Sequence, residues 1–293
     1  MHLDLCLFAS TPDVHERGFL VTLLTGGPEE LARQSLALGY DGLEFLPNPE
    51  NVPDARPFSR ALRQTGARLP VINSGRMVAH GLTLFHRDET VARRAIAAFR
   101  RLLKFAGEVE ARVGLGIARG PARPDLSAES MDQLAAEVLG ELAECADANG
   151  TVILLEPAET TVTRFILGVA EVMAWVDRIN RPYSNPIQTG RSLPFDVMLD
   201  THQLTELESS IPSGVSLARG QATHIHLFDD QRQVPGQGSF NWLELFETLG
   251  EAYCGSASVT LPRPEQPVTP QDVARFVRRV SRSTSIPRAA ELT

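Results

Sequence analysis

The chain has 293 residues, 43% of them hydrophobic and 22% charged, which is the composition of an ordinary globular protein with ample material for a core and excludes the disordered classes. A formal net charge of −8 disfavours a nucleic-acid partner, because binding the phosphate backbone needs clustered Lys and Arg to displace counterions. Three widely spaced cysteines, none in a C-x-x-C pair, lead us to expect a reducing cytoplasm, and no apolar run approaches the ~20 residues a membrane helix needs.

In chain order, short apolar runs alternate with amphipathic stretches, the pattern of repeated βα units on a parallel sheet. The first strand is expected at His2 to Phe8. Gly27-Pro28 then opens a helix, with proline at its first position. Strands follow at Asp41 to Phe45 and Arg68 to Ile72. Arg76 to Arg87 reads as a long connection on the side where barrel enzymes carry substrate-covering loops, and is expected to form a lid. Asp88 to Glu110 has Val91, Ile96, Phe99, Leu102, Leu103 and Phe105 at helical spacing. Further strands are expected at Arg112 to Ile117, Thr151 to Glu156, Phe195 to Asp200, Thr223 to Phe228 and Ser256 to Thr260. Asn180 to Leu193 lies on the way into the sixth strand, at the opposite face, and reads as decoration. Thr269-Pro270 opens the last helix. Eight βα units over one chain without a dividing linker predict a single-domain α/β fold, a (β/α)8 TIM barrel over residues 1–287, with 288–293 as a loosely held tail.

Several of these strands deliver a polar residue to their C-terminal ends, the face where barrel enzymes build active sites. T-V-I-L-L-E ends at Glu156, F-D-V-M-L-D ends at Asp200, and T-H-I-H carries His224 and His226 on one face. One such residue at the barrel rim is ordinary; Glu156, Asp200 and His226 on successive strands imply a shared site. Two carboxylates and an imidazole suit a divalent ion such as Mn²⁺, Mg²⁺, Co²⁺ or Zn²⁺. Arg232, in the turn before P-G-Q-G, can hold a substrate oxygen or phosphate with its planar fork. Glu44, at the end of G-Y-D-G-L-E, is a further strand-end acid expected to touch substrate. His202, two positions beyond Asp200, reads equally as a cap or as a proton-transfer group; Glu159 and Asp229 are weaker candidates. His224 lies deeper than His226 and reads as a packing residue or a supporting contact.

These motifs together resemble the xylose isomerase-like TIM barrels. The resemblance rests on G-Y-D-G-L-E at the second strand, L-L-E-P at the fifth, L-D-T at the sixth, H-I-H followed by R-x-V-P-G-Q-G-x-x-x-W at the seventh, and Y-C-G-S-A-S-V-T-L-P at the eighth. G-L-T-L-F-H-R-D-E-T-V-A-R-R-A-I fits the segment leading into the third helix. That superfamily includes sugar isomerases, ketose 3-epimerases, inosose dehydratase, hydroxypyruvate isomerase and endonuclease IV. By similarity to the ketose 3-epimerases, Glu156, Asp200 and His226 fall on three of four metal-ligand positions and Arg232 on a substrate-binding arginine.

The chain departs from that pattern in three places. The fourth metal ligand, a glutamate that is also an acid/base, aligns with Thr260, which the resemblance therefore places at the substrate site with one metal ligand lost. The histidine expected three residues after the sixth-strand aspartate aligns with Gln203, unless His202 substitutes for it. A substrate-contacting glutamate aligns with Val162. The resemblance thus implies a metal-assisted isomerase or epimerase acting on a small hydroxy-carbonyl compound, with a weakened or absent metal. The alternatives are a non-catalytic binding barrel and, third, an endonuclease IV-like phosphodiesterase. A small-molecule substrate is the expected partner, without nucleic acid or membrane, and homo-oligomerisation is left open.

Overall fold

The computed structural model describes residues 1–13, 24–158, 163, 165–184, 192–218, 220–263 and 267–283. Its centre is a closed barrel of eight parallel strands. In chain order these are β1 (His2–Ser10), β3 (Gly42–Leu46), β4 (Arg68–Asn73), β5 (Arg112–Leu115), β6 (Ile153–Leu155), β7 (Phe195–Asp200), β8 (Ala222–His226) and β9 (Cys254–Val259). A two-residue strand, β2 (Leu24–Thr25), pairs with the end of β1 outside this ring. Each barrel strand pairs with the next, and β1 closes on β9 with His2 opposite Cys254 and Leu7 opposite Val259. Closure removes the free edges that an open sheet would leave.

Most of the strands are rich in buried Leu, Ile, Val and Phe because both faces are covered, one by the barrel interior and one by helices, while β8 and β9 carry buried polar residues such as His224, His226, Ser256 and Ser258. The helices start where their sequences provide partners for the first free N–H groups. In α1 (Pro28–Ala37) proline occupies the first turn after Gly27. In α4 (Glu89–Glu108) the Asp88 carboxylate accepts from the Thr90 and Val91 amides, at 2.8 and 3.3 Å. The Ser127 hydroxyl caps α5 (Ala128–Ala148), accepting from the Ser130 amide at 3.1 Å. Ser210 and Asn241 do the same for α8 (Ile211–Leu217) and α9 (Trp242–Leu249), each with a 3.2 Å bond. In α10 (Pro270–Ser283) the Thr269 hydroxyl accepts from the Asp272 amide while Asp272 accepts from the Thr269 amide, a reciprocal capping box. Helix α4 turns Ala95, Ala98, Phe99, Leu102 and Phe105 inward. There Phe105 meets Phe58 of α2 (Ala55–Thr65) edge-on, with ring centres 5.4 Å apart. Each such buried ring contributes about 1.5–3 kcal/mol.

The expected strands are all present, with ends displaced by at most two residues and Phe195–Asp200 matched at both ends: β6 is only Ile153–Leu155, while β9 starts two residues before Ser256. The Arg76–Arg87 connection contains one helical turn, α3 (Arg76–Ala79), and lies at the C-terminal ends of the strands. At the opposite end, Asn180 closes the α6 helix (Val169–Asn180) and clamps the first residue of β7: its side chain donates to the Phe195 carbonyl at 2.8 Å and accepts from the Phe195 amide at 3.1 Å. What reads as decoration therefore begins with a residue that fixes a strand. The rest of that segment falls partly outside the described residues, as do the 288–293 tail, Glu159 and Val162. Among the described residues no helix is long and apolar enough to cross a membrane, and Cys6, Cys145 and Cys254 are free thiols.

Candidate active site

A cavity of about 460 Å³ opens at the C-terminal ends of the strands. Strand pleating sets what faces it, since alternate residues point into the barrel. On β7, Met198 and Asp200 point inward; on β8, His224 and His226 do. Glu156 follows β6 directly and leans over Gly116, where even a methyl group would lie 2.0 Å from Glu156 Oε2. Only glycine allows that carboxylate its place.

Glu156, Asp200 and His226 converge on the cavity floor. His226 Nδ1 is 3.2 Å from Glu156 Oε1 and 3.9 Å from Asp200 Oδ2, and one donor atom from each residue lies within 4.8 Å of the others. Ligand bonds of about 2.0–2.2 Å place neighbouring donors roughly 3–3.6 Å apart around one ion, so the spacing fits a shared divalent metal. The charges fit as well. Burial first, and the Glu156 charge second, push the Asp200 carboxyl up to about 7, the behaviour of two carboxylates pressed together, which a cation would relieve. The Gln203 side-chain oxygen, on the cavity wall, is buried without a hydrogen-bond partner, a position that a ligand hydroxyl or bound water can satisfy.

Arg232 reaches the same place from a constrained loop. Its guanidinium lies 3.6 Å from Asp200 Oδ2 and 5.4 Å from the centre of the Phe228 ring. Gln231 and Arg232 both have left-handed backbones, with φ of 52° and 56°, which is uncommon for non-glycine residues and marks a conformation imposed by its surroundings. The surroundings are supplied by Asp229, which is buried. It accepts from the backbone amides of Asp230, Gly236 and Phe240 and from the Trp242 indole, at 2.8 to 3.1 Å. Asp229, a weak candidate from sequence, thus holds the loop that aims Arg232. Phe8, Leu46 and Phe228 pack together as the apolar wall, and the Phe8 ring meets His226 edge-on at 5.0 Å.

Glu44 does not stand where a substrate-contacting residue should. It is fully buried beneath His226, and its oxygens are already engaged by His226 Nε2, His224 Nε2 and the Asn73 amide. It is a support behind the cavity floor. Thr260 is buried just past the end of β9 and is not among the residues that line the cavity. His202, the second residue of α7 (Thr201–Leu207), is half-buried and also lies off the cavity wall. Asn73 and Phe8 line the cavity and were not singled out from sequence, and so does Gln203, which the resemblance placed only as the counterpart of an expected histidine. Asn73 ends β4 one residue beyond the expected Ile72, so the strand-end rule applied one position later finds it; Gln203 and Phe8 carry no chemical signature of their own.

The architecture and site define a (β/α)8 barrel with a carboxylate–imidazole cluster at its mouth. The chain belongs to the xylose isomerase-like TIM barrel family, whose model matches residues 32–282. Over 121 residues it is 29% identical to the D-psicose 3-epimerase of Ruminiclostridium cellulolyticum, a stretch that covers 41% of this chain and 38% of that protein. Over 66 residues it is 32% identical to the D-psicose 3-epimerase of Enterocloster bolteae, covering 22% of each. The matched stretches thus span well under half of these relatives. In fold it is similar to the 3-keto-D-glucoside 4-epimerase of E. coli, with a TM-score of 0.72, 17% identity and coverage of 94% of this chain and 99% of that one. An AP endonuclease of family 2 from Brucella melitensis is similar too, with a TM-score of 0.65, 21% identity and coverage of 93% and 98%. At these identities the structures share the fold alone.

Proposed function

We propose that the protein is a sugar isomerase- or epimerase-like enzyme that transfers a proton beside the carbonyl of a small hydroxy-carbonyl compound. The observation that carries this reading is the convergence of Glu156, Asp200 and His226 on one cavity floor with Arg232 beside them. Glu156, Asp200 and His226 would hold a divalent ion, Mn²⁺, Mg²⁺, Co²⁺ or Zn²⁺, which when bound polarises a carbonyl and its neighbouring hydroxyl and so acidifies the intervening C–H. Glu156 is the group that takes the carbon-bound proton and returns it. Arg232 fixes a substrate oxygen, and the Phe8, Leu46 and Phe228 wall keeps the reacting face dry. If Glu156 is wholly committed to the ion, Glu159, which lies outside the described residues, is the reserve proton acceptor, and His202, standing off the cavity wall, is the weaker one.

Thr260 shapes the chemistry. With a hydroxyl where the ketose 3-epimerase pattern has a glutamate, proton transfer falls to one face, which favours isomerisation or dehydration over two-faced epimerisation. The same substitution is what favours the second reading, a binding barrel without turnover. The phosphodiesterase reading is the weakest, since the chain has seven histidines in all and a net charge of −8. A small-molecule substrate without nucleic acid or membrane, and a cytoplasmic setting, belong to this proposal.

The test is deuterium exchange. The Mn²⁺- or Co²⁺-loaded protein is incubated in D₂O with a panel of ketoses and aldoses while proton NMR follows the C–H beside the carbonyl. Wash-in of deuterium into at least one sugar is expected. Tight metal binding without exchange in any of them would leave the binding barrel as the better account.

A further inference from the structure

We propose that Glu44 is a positioning residue for the metal ligand His226, and that it works by fixing which ring nitrogen faces the cavity. The inference rests on the reading of Glu156, Asp200 and His226 as a metal-binding set. The two nitrogens of His226 have different neighbours. Nδ1 faces Glu156 and Asp200 on the cavity side. Nε2 faces inward, 3.0 and 3.1 Å from the two oxygens of Glu44. A carboxylate only accepts, so Glu44 keeps a proton on Nε2 and leaves Nδ1, on the cavity side, as the nitrogen whose proton a metal would displace.

Glu44 can do this because it is itself immobilised on every side. It is fully buried on β3, where the pleat points it into the barrel. The Asn73 amide donates to Oε1 at 2.5 Å. His224 Nε2 lies 2.8 Å from Oε2, and the other nitrogen of His224 lies 2.7 Å from Ser256 Oγ. A row Asn73, Glu44, His224, Ser256 therefore crosses the barrel from β4 to β9, starting at the cavity wall with Asn73 and running under the floor from Glu44 onward. An isolated buried carboxylate is costly unless its lone pairs are all engaged, and here three donors meet it. The His226 ring is also held edge-on by Phe8, which limits its rotation but cannot choose its proton.

Substitution by glutamine separates orientation from bulk. In Glu44→Gln the introduced amide offers one acceptor and one donor to two imidazoles that both need an acceptor, so one ring must turn or lose its partner. For Glu44→Gln we expect Co²⁺ affinity, measured by calorimetry, to fall about ten- to hundredfold, the usual effect of losing an outer partner of a metal-bound histidine. Ser256→Ala removes the far end of the same buried row without touching His226. It should change the thermal midpoint while leaving Co²⁺ affinity within about threefold of wild type, a size below the outer-partner effect. Equal Co²⁺ affinity in wild type and Glu44→Gln overturns the proposal while leaving the metal reading intact; failure of the wild type to bind Co²⁺ overturns both. If Glu44→Gln does not fold, nitrogen-15 NMR of the Zn²⁺-loaded wild type decides. A proton on His226 Nε2 with Nδ1 on the metal is expected; the reverse arrangement, or two Zn²⁺ per chain with one between Glu44 and His224, defeats it.

Discussion

Two clusters, each pairing carboxylate with imidazole, lie a few ångströms apart in this barrel and are built for opposite duties. The upper one, Glu156, Asp200 and His226, is turned to the cavity, with Nδ1 of the imidazole 3.2 and 3.9 Å from the two carboxylates. The lower one, Asn73, Glu44, His224 and Ser256, is buried beneath the floor except at Asn73, which also lines the cavity, and its contacts of 2.5 to 2.8 Å form an unbroken row. His226 belongs to both. Their electrostatics diverge accordingly. Burial alone would raise the Glu44 carboxyl, but the His226 and His224 imidazoles outweigh it and hold it well below the usual range. Asp200 rises instead, through burial first and then through the neighbouring Glu156 carboxylate. A buried carboxylate is thus structural where its donors are built into the fold, and functional where it faces a space that admits them.

The contrast between the clusters is most exposed at Asp200. Its folded value of about 7 lies above the ordinary value of about 3.9, so the metal-free fold favours the protonated acid, and stability from this group is lost as pH rises from about 4 through 7. Metal binding has to displace that proton. Co²⁺ affinity is therefore expected to rise with pH up to about 7. It should continue rising more gently above, because the His226 proton, which burial disfavours, is held well above its ordinary range by Glu44 and Glu156 and must leave Nδ1 too. Asp200→Asn should weaken Co²⁺ binding by at least about a hundredfold at pH 7.5, beyond the loss caused by an outer partner, while leaving the metal-free protein as stable or more so. A flat affinity from about pH 5.5 to 8, across the range in which the proton should be lost, would mean that Asp200 is not a ligand.

Arg232 tests the cavity side without touching the row beneath. Arg232→Ala should lower kcat/KM on the sugar identified by exchange by about ten- to hundredfold, the range for one charged hydrogen bond of ~1.5–3 kcal/mol. The thermal midpoint should barely move, because Asp229 and not Arg232 secures the loop. Unchanged kinetics would return Arg232 to the role of a counter-charge for Asp200.

The smallest effect is expected at Thr260. Thr260→Glu adds a carboxylate at the end of β9, and if the upper cluster is short of one ligand, Mn²⁺ or Co²⁺ affinity should tighten roughly tenfold, about 1.4 kcal/mol. Equal affinity in both forms would show that the three-residue set is complete without β9.

The barrel was legible in the chain, because alternating strand and helix periodicities are local signals and eight βα units close on themselves. So were the members of the upper cluster, since a polar residue at the end of an otherwise apolar parallel strand has only the barrel mouth to occupy. The arginine loop could be read from Arg232 and P-G-Q-G, but not the part played by Asp229, whose four donors come from positions spread over Asp230 to Trp242. The duties of Glu44 and Asn73 became visible only in three dimensions. In the chain each of the two acids reads as the end of a strand, but β3 continues two residues past Glu44 to Leu46 whereas Glu156 lies just beyond the end of β6, so Glu44 sits deeper in the barrel. The separation comes from residues 180 and 182 positions away: across the barrel His224 and His226 meet Glu44 from within, while Glu156 stands over Gly116 and faces the cavity. A carboxylate's role depends on which donors reach it, and in a closed barrel those donors are set by register between distant strands.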